Sequence, residues 1–330
     1  MKDILLHAAT FARIAERLKA FEQQVRPLTM DDEGAFKAEW GVPLEGEPQP
    51  VAAFGTTDVW FGPQAPAFMT AVLKTPELQW FQSSAAGVEH PALVMIGQKA
   101  GLYTTSHAQS EAMAEWALWA AMDFFRGGPK RRADKAAANW EIQISREIHG
   151  SHWLIYGFGA IGKAVAWRVQ ALGGKVTGVR RSGGASDVAD AIVTPDAMSE
   201  ALRTADVVLL CAPHTPETEG MADAAFFAAM RDDALFLNLG RGALVVEPDL
   251  IAGLDARRPS FAQLDVVSEE PLPADNPLWS HPNVMITPHD SAATLETRHR
   301  QDQVFLDNLE RWLKGGPLEN LIAKSEFETA

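Results

Sequence analysis

Three ionisable residues in the second half of the chain each follow a short apolar run that predicts a β-strand. Arg241 stands in LNLGRG, Glu270 in LDVVSEEPLP and His289 at the end of MITPH. In open parallel α/β sheets, ligands bind in the crevice outside the carboxyl ends of the strands. We therefore expect these three side chains to lie together at one edge of one sheet.

This set of residue types fits hydride transfer between a nicotinamide and the carbon of an alcohol or carbonyl group. Histidine titrates near neutral pH, so His289 can exchange the hydroxyl proton in both directions. A carboxylate at Glu270, bonded to the other ring nitrogen, would fix the tautomer and favour the imidazolium. The Arg241 guanidinium suits the carboxylate of a 2-oxo acid and would polarise its carbonyl.

Each of the three residues has an ordinary structural explanation when it is taken alone. An arginine after a strand most often forms a surface ion pair, a glutamate before proline is usually solvated, and a single histidine is usually structural. Three of them at the ends of neighbouring strands, on a domain that binds a nucleotide, are harder to explain in that way. We therefore predict that they form a catalytic set.

A glycine-rich turn at residues 157–162, GFGAIG, indicates that this domain binds a dinucleotide. The motif means little alone, but here an apolar run precedes it, and an amphipathic segment and a second apolar run follow it. This order predicts strand, turn, helix and strand, with the pyrophosphate at the amino terminus of the helix. The glycines would permit the tight turn, the close approach of the pyrophosphate and the packing of helix on strand. The predicted cofactor-binding residues of the turn are Gly157, Phe158, Gly159, Ala160, Ile161 and Gly162.

The tip of the second strand predicts which nicotinamide cofactor is preferred. Enzymes that use NAD usually place an acidic residue there, where its carboxylate binds the ribose hydroxyls. This chain has Arg180, Arg181 and Ser182 instead, and no acidic residue lies between Gly162 and Ser182. Two guanidinium groups and a hydroxyl suit a 2′-phosphate, through charge-assisted hydrogen bonds. A solvated basic turn is the structural alternative, and NADP(H) is the predicted cofactor.

Strand and helix patterns alternate along the whole chain, which predicts parallel sheets connected by right-handed crossovers. The length of 330 residues exceeds one ordinary core and suits two domains. A long apolar helix, residues 110–126, precedes the glycine-rich turn, so the turn does not follow directly on the first domain. We interpret this helix and the last one, residues 292–314, as crossovers between the domains.

The predicted fold class is α/β, with two doubly wound parallel-sheet domains joined by crossover helices. A discontinuous, flavodoxin-like domain of residues 1–106 and 294–330 would bind the substrate. A Rossmann-type domain of residues 107–293 would bind the dinucleotide.

Composition limits the classes of function. The chain carries 43 acidic against 29 basic residues, a formal net charge of −14, and no basic run longer than residues 130–132. Such a surface disfavours nucleic-acid binding. The single cysteine, Cys211, cannot form an internal disulfide bond, and His149 and His152 lack a third ligand, so no metal site is predicted. No apolar stretch suits a signal peptide or a membrane span, so we expect a cytoplasmic protein without membrane partners.

Seven segments together resemble the D-isomer-specific 2-hydroxyacid dehydrogenases, and the resemblance extends over most of the chain. They are LQWFQSSAAGVEH (78–90), AEWAL (114–118), the GFGAIG turn, CAPHTPETEGM (211–221), LNLGRG (237–242), LDVVSEEPLP (264–273) and NVMITPH (283–289). Within the family, arginine at the end of the second strand resembles the members that reduce glyoxylate or hydroxypyruvate with NADPH.

The resemblance implies how the substrate, a small 2-oxo or 2-hydroxy acid, is bound and converted. Arg241 would bind its carboxylate and carbonyl groups, His289 would be the acid and base, and Glu270 the partner of His289. Backbone amides at Ala86 and Gly87 would hold the substrate carboxylate.

The resemblance also implies further cofactor contacts and a homodimer. Asp265 would reach the nicotinamide carboxamide, and the apolar helix of residues 112–125 would form the dimer interface. The other predicted cofactor contacts outside the turn are Ala212, Pro213, Leu239 and Gly240.

Other interpretations are weaker but distinct. A nucleotide-sensing corepressor would share the fold, but it would not need the complete set of Arg241, Glu270 and His289. Phosphoglycerate and formate dehydrogenases are enzymatic alternatives, which the missing regulatory extension and the paired arginines at 180–181 disfavour. The substrate side chain stays open, because four residues of the first domain could line its pocket: Trp60, Trp80, Phe81 and His107.

Overall fold

The structure, a computed structural model, describes residues 1–41, 43–60 and 62–327. It divides into two compact units. Unit 1 comprises Met1–Gln109 and Leu295–Ala330, and unit 2 comprises Ser110–Thr294. The chain passes between the units after residues 109 and 294, where the sequence predicts boundaries after residues 106 and 293.

Strands and helices alternate along both units. The strands are β1 (Lys2–His7), β2 (Val25–Met30), β3 (Phe36–Ala38), β4 (Ala52–Gly55), β5 (Trp80–Ser83), β6 (Leu102–Thr104), β7 (His152–Tyr156), β8 (Lys175–Val179), β9 (Ala191–Val193), β10 (Val207–Leu210), β11 (Leu235–Asn238), β12 (Phe261–Leu264) and β13 (Val284–Ile286). The α-helices are α1 (Ala8–Leu18), α2 (Thr57–Trp60), α3 (Ala65–Lys74), α4 (Pro91–Lys99), α5 (Ser110–Phe125), α6 (Gly128–Ala136), α7 (Ala160–Ala171), α8 (Ser199–Thr204), α9 (Ala224–Ala229), α10 (Glu247–Asp255) and α11 (Leu295–Leu313). Short 3-10 helices lie at Lys19–Phe21, Pro195–Ala197, Gly242–Leu244, Pro277–Trp279 and Lys324–Phe327.

The sheet of unit 1 has the strand order β3-β2-β1-β4-β5-β6. Its neighbours pair in parallel, except that β3 runs antiparallel to β2 at the edge. The α/β class is confirmed, but this edge departs from the purely parallel sheet that the sequence predicts. Pro27 interrupts the apolar pattern of β2, and proline is uncommon inside strands, so the pattern there does not indicate a hairpin.

Both faces of the unit 1 sheet are buried, as a parallel sheet requires. Alternate residues of β1 enter two different clusters: Ile4 and Leu6 pack with Trp80 and Phe305, whereas Leu5 packs with Phe81. The rings of Trp80 and Phe305 stack at 5.5 Å, which fixes α11 on one face of the sheet. The two faces together hold the carboxyl ends of β4 and β5 at one edge.

The sheet of unit 2 is parallel throughout its seven strands, in the order β13-β12-β11-β10-β7-β8-β9. Apolar side chains cover both of its faces, with α5 and α7 on one and α8 to α10 on the other. The chain order reverses where β7 and β10 lie side by side. This reversal is the topological switch point, at which open α/β sheets bind ligands.

No helix in the described part of the chain is both long and apolar enough to cross a membrane.

Phe236 of β11 anchors one face of the unit 2 sheet. It is fully buried, and its ring meets the edge of Phe227 at 5.2 Å and 82°. We expect Phe236→Ala to lower the free energy of unfolding by about 3–5 kcal/mol, because it leaves a cavity in a packed core. Urea denaturation followed by circular dichroism measures this loss. Trp167→Ala, at a side chain that is 58% exposed, is the matched control and should cost less than about 1 kcal/mol; equal losses in the two variants would contradict the prediction.

Candidate active site

The glycine-rich turn joins β7 to α7 at the switch point of the unit 2 sheet. Gly157 has a φ of +99°, and a Cβ built on it would lie 2.4 Å from the backbone nitrogen of Ala212. A Cβ on Gly162 would lie 2.7 Å from the carbonyl oxygen of Gly157. Nothing lies within 4 Å of a Cβ built on Gly159. Two of the glycines are therefore needed for packing, and the third leaves open space beside the backbone.

The amino terminus of α7 is the part of this turn that can hold an anion. Helix α7 begins at Ala160, and the amide of Lys163 bonds back to the carbonyl of Gly159 at 2.9 Å. The amides of residues 160–162, which include Ile161, have no acceptor within the helix. They point in the same direction as the positive end of the helix dipole, which suits a pyrophosphate.

The side chain of Phe158, one of the predicted cofactor-binding residues, is packed inside unit 2. Its side chain is 3% exposed, and its ring lies where a Cβ on Gly178 would come within 2.4 Å. Its amide donates to the carbonyl of Val179 at 3.1 Å. Because its ring packs against Gly178 and its amide binds Val179, Phe158 attaches the turn to β8.

The carboxyl ends of β10 and β11 close around the turn. The Cys211 thiol donates to the carbonyl of Gly157 at 3.1 Å, and burial raises the pKa of Cys211 to about 12. A Cβ on Gly240 would lie 2.7 Å from the carbonyl oxygen of Ala212. Among the predicted contacts, Ala212 and Gly240 thus pack backbone against backbone, Pro213 is exposed, and Leu239 is a core side chain with 2% exposure.

The two arginines after β8 have different roles. The Arg180 guanidinium turns back on its own loop, with Nε donating to the carbonyl of Gly183 at 2.5 Å and an Nη to that of Ala185 at 3.1 Å. Arg181 and Ser182 are exposed. Part of the Arg180 guanidinium therefore shapes the loop, and the role of Arg180, Arg181 and Ser182 in binding a phosphate stays a prediction.

The charge of Arg181 acts on the crevice side of the sheet. Burial raises the pKa of Tyr156, the last residue of β7, and the Arg181 charge opposes this shift. The Arg181 charge also contributes to the lowered pKa of Glu217, after the larger effect of a hydrogen bond from Thr215. Arg181 therefore lies within electrostatic reach of the ends of β7 and β10, where a dinucleotide would enter.

His289 and Glu270 form the pair that the sequence predicts. His289 Nδ1 lies 2.8 Å from Glu270 Oε2, while the other oxygen, Oε1, accepts from the amide of Val267 at 3.2 Å. The histidine side chain is 51% exposed and the glutamate 37%. Since Nδ1 is held by the carboxylate, Nε2 is the nitrogen that can exchange a proton with a substrate.

A buried carboxylate holds the turn that carries His289. Asp265 is 2% exposed and accepts from Thr287 Oγ1 at 2.6 Å, from the amide of Asp290 at 3.0 Å and from Ser291 Oγ at 2.5 Å. His289 has a φ of +54°, a conformation that side-chain-bearing residues adopt at a cost. These bonds engage both oxygens of Asp265 and give it a positioning role, and its expected contact with the nicotinamide carboxamide stays a prediction.

Arg241 is positioned by an asparagine that the sequence analysis did not single out. Asn238, the last residue of β11, accepts from the amide of Gly240 at 3.0 Å and donates to the carbonyl of Arg241 at 3.0 Å. A Cβ on Gly242 would lie 1.9 Å from the carbonyl oxygen of Val267. The loop of Arg241 therefore lies directly against the segment that leads to Glu270, which places both residues at one edge of the sheet.

The predicted carboxylate-binding amides belong to unit 1. Ala86 and Gly87 follow β5 and are half-buried, and no described residue accepts a hydrogen bond from either amide. The neighbouring Ala85 is fixed on both sides, since its amide donates to Ser83 Oγ at 3.1 Å and its carbonyl accepts from Ser106 at 3.2 Å. The loop thus presents two available donors on an anchored backbone, as an anion site requires.

The structure separates the four candidate pocket residues of unit 1. Trp80 and Phe81 are fully buried in the core, on opposite faces of the sheet. Trp60 is half-buried at the carboxyl edge, and His107 is exposed. Sequence reasoning also overlooked Thr287 and Ser291, although the phrase TPHDS places hydroxyls on both sides of the histidine and is the signal that could have found them.

Comparison with known proteins identifies the family to which this chain is similar. Residues 118–291, just over half of the chain, match the family described as D-isomer specific 2-hydroxyacid dehydrogenase, NAD binding domain. The hydroxypyruvate reductase of Blautia hydrogenotrophica is 38% identical over 194 residues, which are 56% of this chain and 56% of that protein. The chain therefore spans little more than half the length of this curated relative.

Solved structures match almost the whole chain. A D-isomer specific 2-hydroxyacid dehydrogenase family protein from Aeromonas salmonicida is 28% identical, with a TM-score of 0.80 over 98% of this chain and 99% of its own. The NADPH-dependent glyoxylate/hydroxypyruvate reductase of Sinorhizobium meliloti, solved with NADP and sulfate, shares the fold at 24% identity and a TM-score of 0.77, over 99% of this chain and 100% of its own. With the family match over residues 118–291 and the ordered pair of His289 and Glu270, the chain belongs to the D-isomer specific 2-hydroxyacid dehydrogenase family.

Proposed function

We propose that the chain reduces a small 2-oxo acid, glyoxylate or hydroxypyruvate, to the 2-hydroxy acid with NADPH. The observation that carries the proposal is the 2.8 Å contact between His289 and Glu270, on the sheet edge that also presents Arg241 and the glycine-rich turn. The 38% identical relative is named a hydroxypyruvate reductase, which supports the substrate class.

Residues of unit 2 would supply substrate binding, charge stabilisation and proton transfer in the proposed reduction. The reduced nicotinamide, when bound, would supply the hydride that forms the new C–H bond at C2 of the substrate. Arg241 would hold the substrate carboxylate and stabilise the negative charge that develops on the carbonyl oxygen. His289 Nε2 would donate its proton to that oxygen, and the Glu270 carboxylate would stabilise the imidazolium beforehand.

The amides of residues 160–162 would bind the pyrophosphate, and Arg181 with Ser182 would bind the 2′-phosphate of NADPH. Arg180 would act through the loop that it shapes. Asp265 would keep the His289 turn in place. The amides of Ala86 and Gly87 remain our proposed donors to the substrate carboxylate from unit 1.

We also propose that the chain forms a homodimer, in which a second apolar segment contributes beside the expected helix α5. Most of that helix is buried against the core of its own unit, including Trp116, Ala117 and Ala121. Trp119 and Met122 of that helix are 45% and 43% exposed, but the most exposed large apolar side chains of the described residues lie on residues 139–146, which we name the arm. Within it Trp140, Ile142 and Ile144 are 99%, 91% and 103% exposed.

The arm has one exposed apolar side and one side that contacts α6. Side chains two residues apart share a face of an extended chain, so the three apolar groups point the same way. The alternate residues bind α6, through Gln143 to Asp134 at 2.5 Å and Arg131 to Ser145 at 3.3 Å. The structure records no hydrogen bond from a described residue to the backbone groups of residues 140–145.

A second copy of the chain is the partner that we propose for the arm. Two identical arms related by a two-fold axis can satisfy each other's backbone and apolar groups at once. The three side chains present on the order of 500 Å², more than half of the roughly 800 Å² that each partner buries in a standard interface. The one acid between them, Glu141, is neutralised by Lys130 at 2.9 Å.

Cofactor preference tests the proposed function. The wild-type protein should use NADPH with a kcat/KM at least about tenfold above that for NADH, since one charge-assisted contact contributes about 1.5–3 kcal/mol. Arg181→Asp should remove most of this preference, because it replaces the phosphate-binding cation by an anion. Arg203→Asp, an equal charge change on α8, should retain the preference. Wild-type efficiency that is equal with the two cofactors, or higher with NADH, would refute the proposal.

The acid/base pair predicts a graded loss of activity. His289→Gln should lower kcat by roughly 10²–10⁴-fold, as expected for a positioned general acid. Glu270→Gln should lower it less, because the imidazole keeps its place but loses the carboxylate that orients its ring. Initial rates of NADPH oxidation between pH 5 and 9 measure both effects, with the exposed His149→Gln as control. Near-normal turnover in His289→Gln would rule out the assignment.

The arm predicts the oligomeric state. Sedimentation velocity at micromolar concentration should give a dimer for the wild type and a monomer for the variant with Trp140→Ser, Ile142→Ser and Ile144→Ser. Trp279→Ser, at a side chain that is 56% exposed elsewhere in unit 2, should remain dimeric. A monomeric wild type, or a triple variant that stays dimeric, would show that the arm does not form the interface.

A further inference from the structure

Trp60 occupies a position at the carboxyl edge of the unit 1 sheet that only a glycine neighbour allows. It ends α2, which follows β4 by one residue, and its indole lies directly on Gly55, the last residue of β4. A Cβ built on Gly55 would lie 2.2 Å from Cζ2 and 2.6 Å from Cη2 of the indole, and 2.9 Å from Cζ of Phe81. The indole therefore fills the space in which a side chain at position 55 would stand.

The indole is held in one orientation from two sides. Its Nε1 donates to Ser84 Oγ at 3.2 Å, and the amide of Ser84 donates to the carbonyl of Gly55 at 2.8 Å. The ring of Phe68 meets it edge-on at 6.5 Å and 77°. Because its only polar atom is used by Ser84, the indole presents an apolar surface with no donor left.

The apolar surface of the indole lies near the loop whose amides we propose as donors to the substrate carboxylate. Ser84 is two residues before Ala86, and the amides of Ala86 and Gly87 have no acceptor among the described residues. Trp60 is only half-buried, whereas the two other aromatic candidates, Trp80 and Phe81, are wholly inside the core. Of these three rings, Trp60 is therefore the one that a molecule bound at the 86–87 amides could touch.

We propose that Trp60 is the residue that limits the size of the substrate side chain, an inference that rests on the proposed function. With the carboxylate on the amides of residues 86–87, the indole forms a rigid wall beside the group attached to C2. A hydrogen atom or a hydroxymethyl group fits against such a wall, and a benzyl group does not. A flat apolar surface without a free donor also gives no partner to a second carboxylate or a phosphate on that group, which would stay unpaired. The substrate class is accordingly monocarboxylic 2-oxo acids with small, uncharged side chains.

Substitutions on both sides of the contact test this role through selectivity rather than through activity alone. Trp60→Ala removes the wall, Trp60→Phe shortens it, and Gly55→Ala displaces the indole from the opposite side. For each we would measure kcat and KM with NADPH for glyoxylate, hydroxypyruvate and phenylpyruvate. Trp60→Ala should raise the ratio of kcat/KM for phenylpyruvate to that for glyoxylate by at least about tenfold, because pocket volume governs discrimination between apolar groups.

The change should lie mainly in KM for the larger acid, with kcat for glyoxylate altered less. Gly55→Ala should move the ratio in the same direction by a smaller factor, and Ser84→Ala should do so as well by releasing the indole. Trp279→Ala, the loss of a half-exposed tryptophan in unit 2, is the matched control and should leave the ratio unchanged. If Trp60→Ala does not fold, Trp60→Phe and Ser84→Ala carry the test, since both retain most of the packing.

The failures of the two proposals are distinguishable. A wild type that reduces glyoxylate with NADPH, but whose selectivity is unchanged in every one of these variants, overturns the role of Trp60 and leaves the proposed function intact. A wild type that reduces none of the three acids overturns the proposed function and the role of Trp60 together. A uniform loss of activity on all three acids, without a change in their ratio, shows that Trp60 serves only the stability of unit 1.

Discussion

The buried carboxylate of Asp265 determines the geometry on which the candidate active site depends. Its oxygens collect hydrogen bonds from Thr287, Asp290 and Ser291, and these bonds hold His289 in a left-handed conformation. An isolated carboxylate would be costly at this depth, but several donors compensate for the lost water. A histidine on an unrestrained turn would relax toward common backbone angles, and its ring would leave Glu270. The strain at one residue is therefore maintained by one buried acid.

Close backbone packing is the second constraint, and it operates at the switch point of the unit 2 sheet. Gly157 and Gly240 both approach Ala212 so closely that a Cβ on either would overlap its backbone. The same crowding that requires these glycines brings the ends of β7, β10 and β11 together. Cys211 fits beneath the turn, where its small thiol donates to the carbonyl of Gly157 and burial raises its pKa, as expected of a packing residue. The crevice is thus formed by backbone, which a cofactor can approach without side chains in the way.

The protein is acidic overall, so the proposed anion binding depends on a few positive groups at the site. The chain carries a formal net charge of −14, so the long-range field does not attract a 2-oxo acid or a phosphate. The proposed function assigns anion binding to a few defined groups: the guanidinium groups of Arg181 and Arg241, and the free amides of residues 160–162 and 86–87. Such short-range contacts are selective because they depend on geometry, whereas a basic surface would bind anions in general.

The sequence by itself determined the α/β class, the glycine-rich turn and the expected pairing of Glu270 with His289, because strand periodicity and the loops that follow strands are local signals. Only the tertiary structure decided which polar groups form hydrogen bonds within the protein. Arg180 bonds to its own loop, Phe158 is packed beneath Gly178, and Asp265 serves the histidine turn, although each stands at a position that the motif associates with the cofactor. The sequence also did not predict the exposed arm or the packing of Trp60 on Gly55. Both depend on which atoms come close across a sheet edge, and a local sequence pattern does not show this. Spacing along a chain shows where a side chain starts, and the packing of distant segments decides whether its hydrogen bonds and its surface remain available.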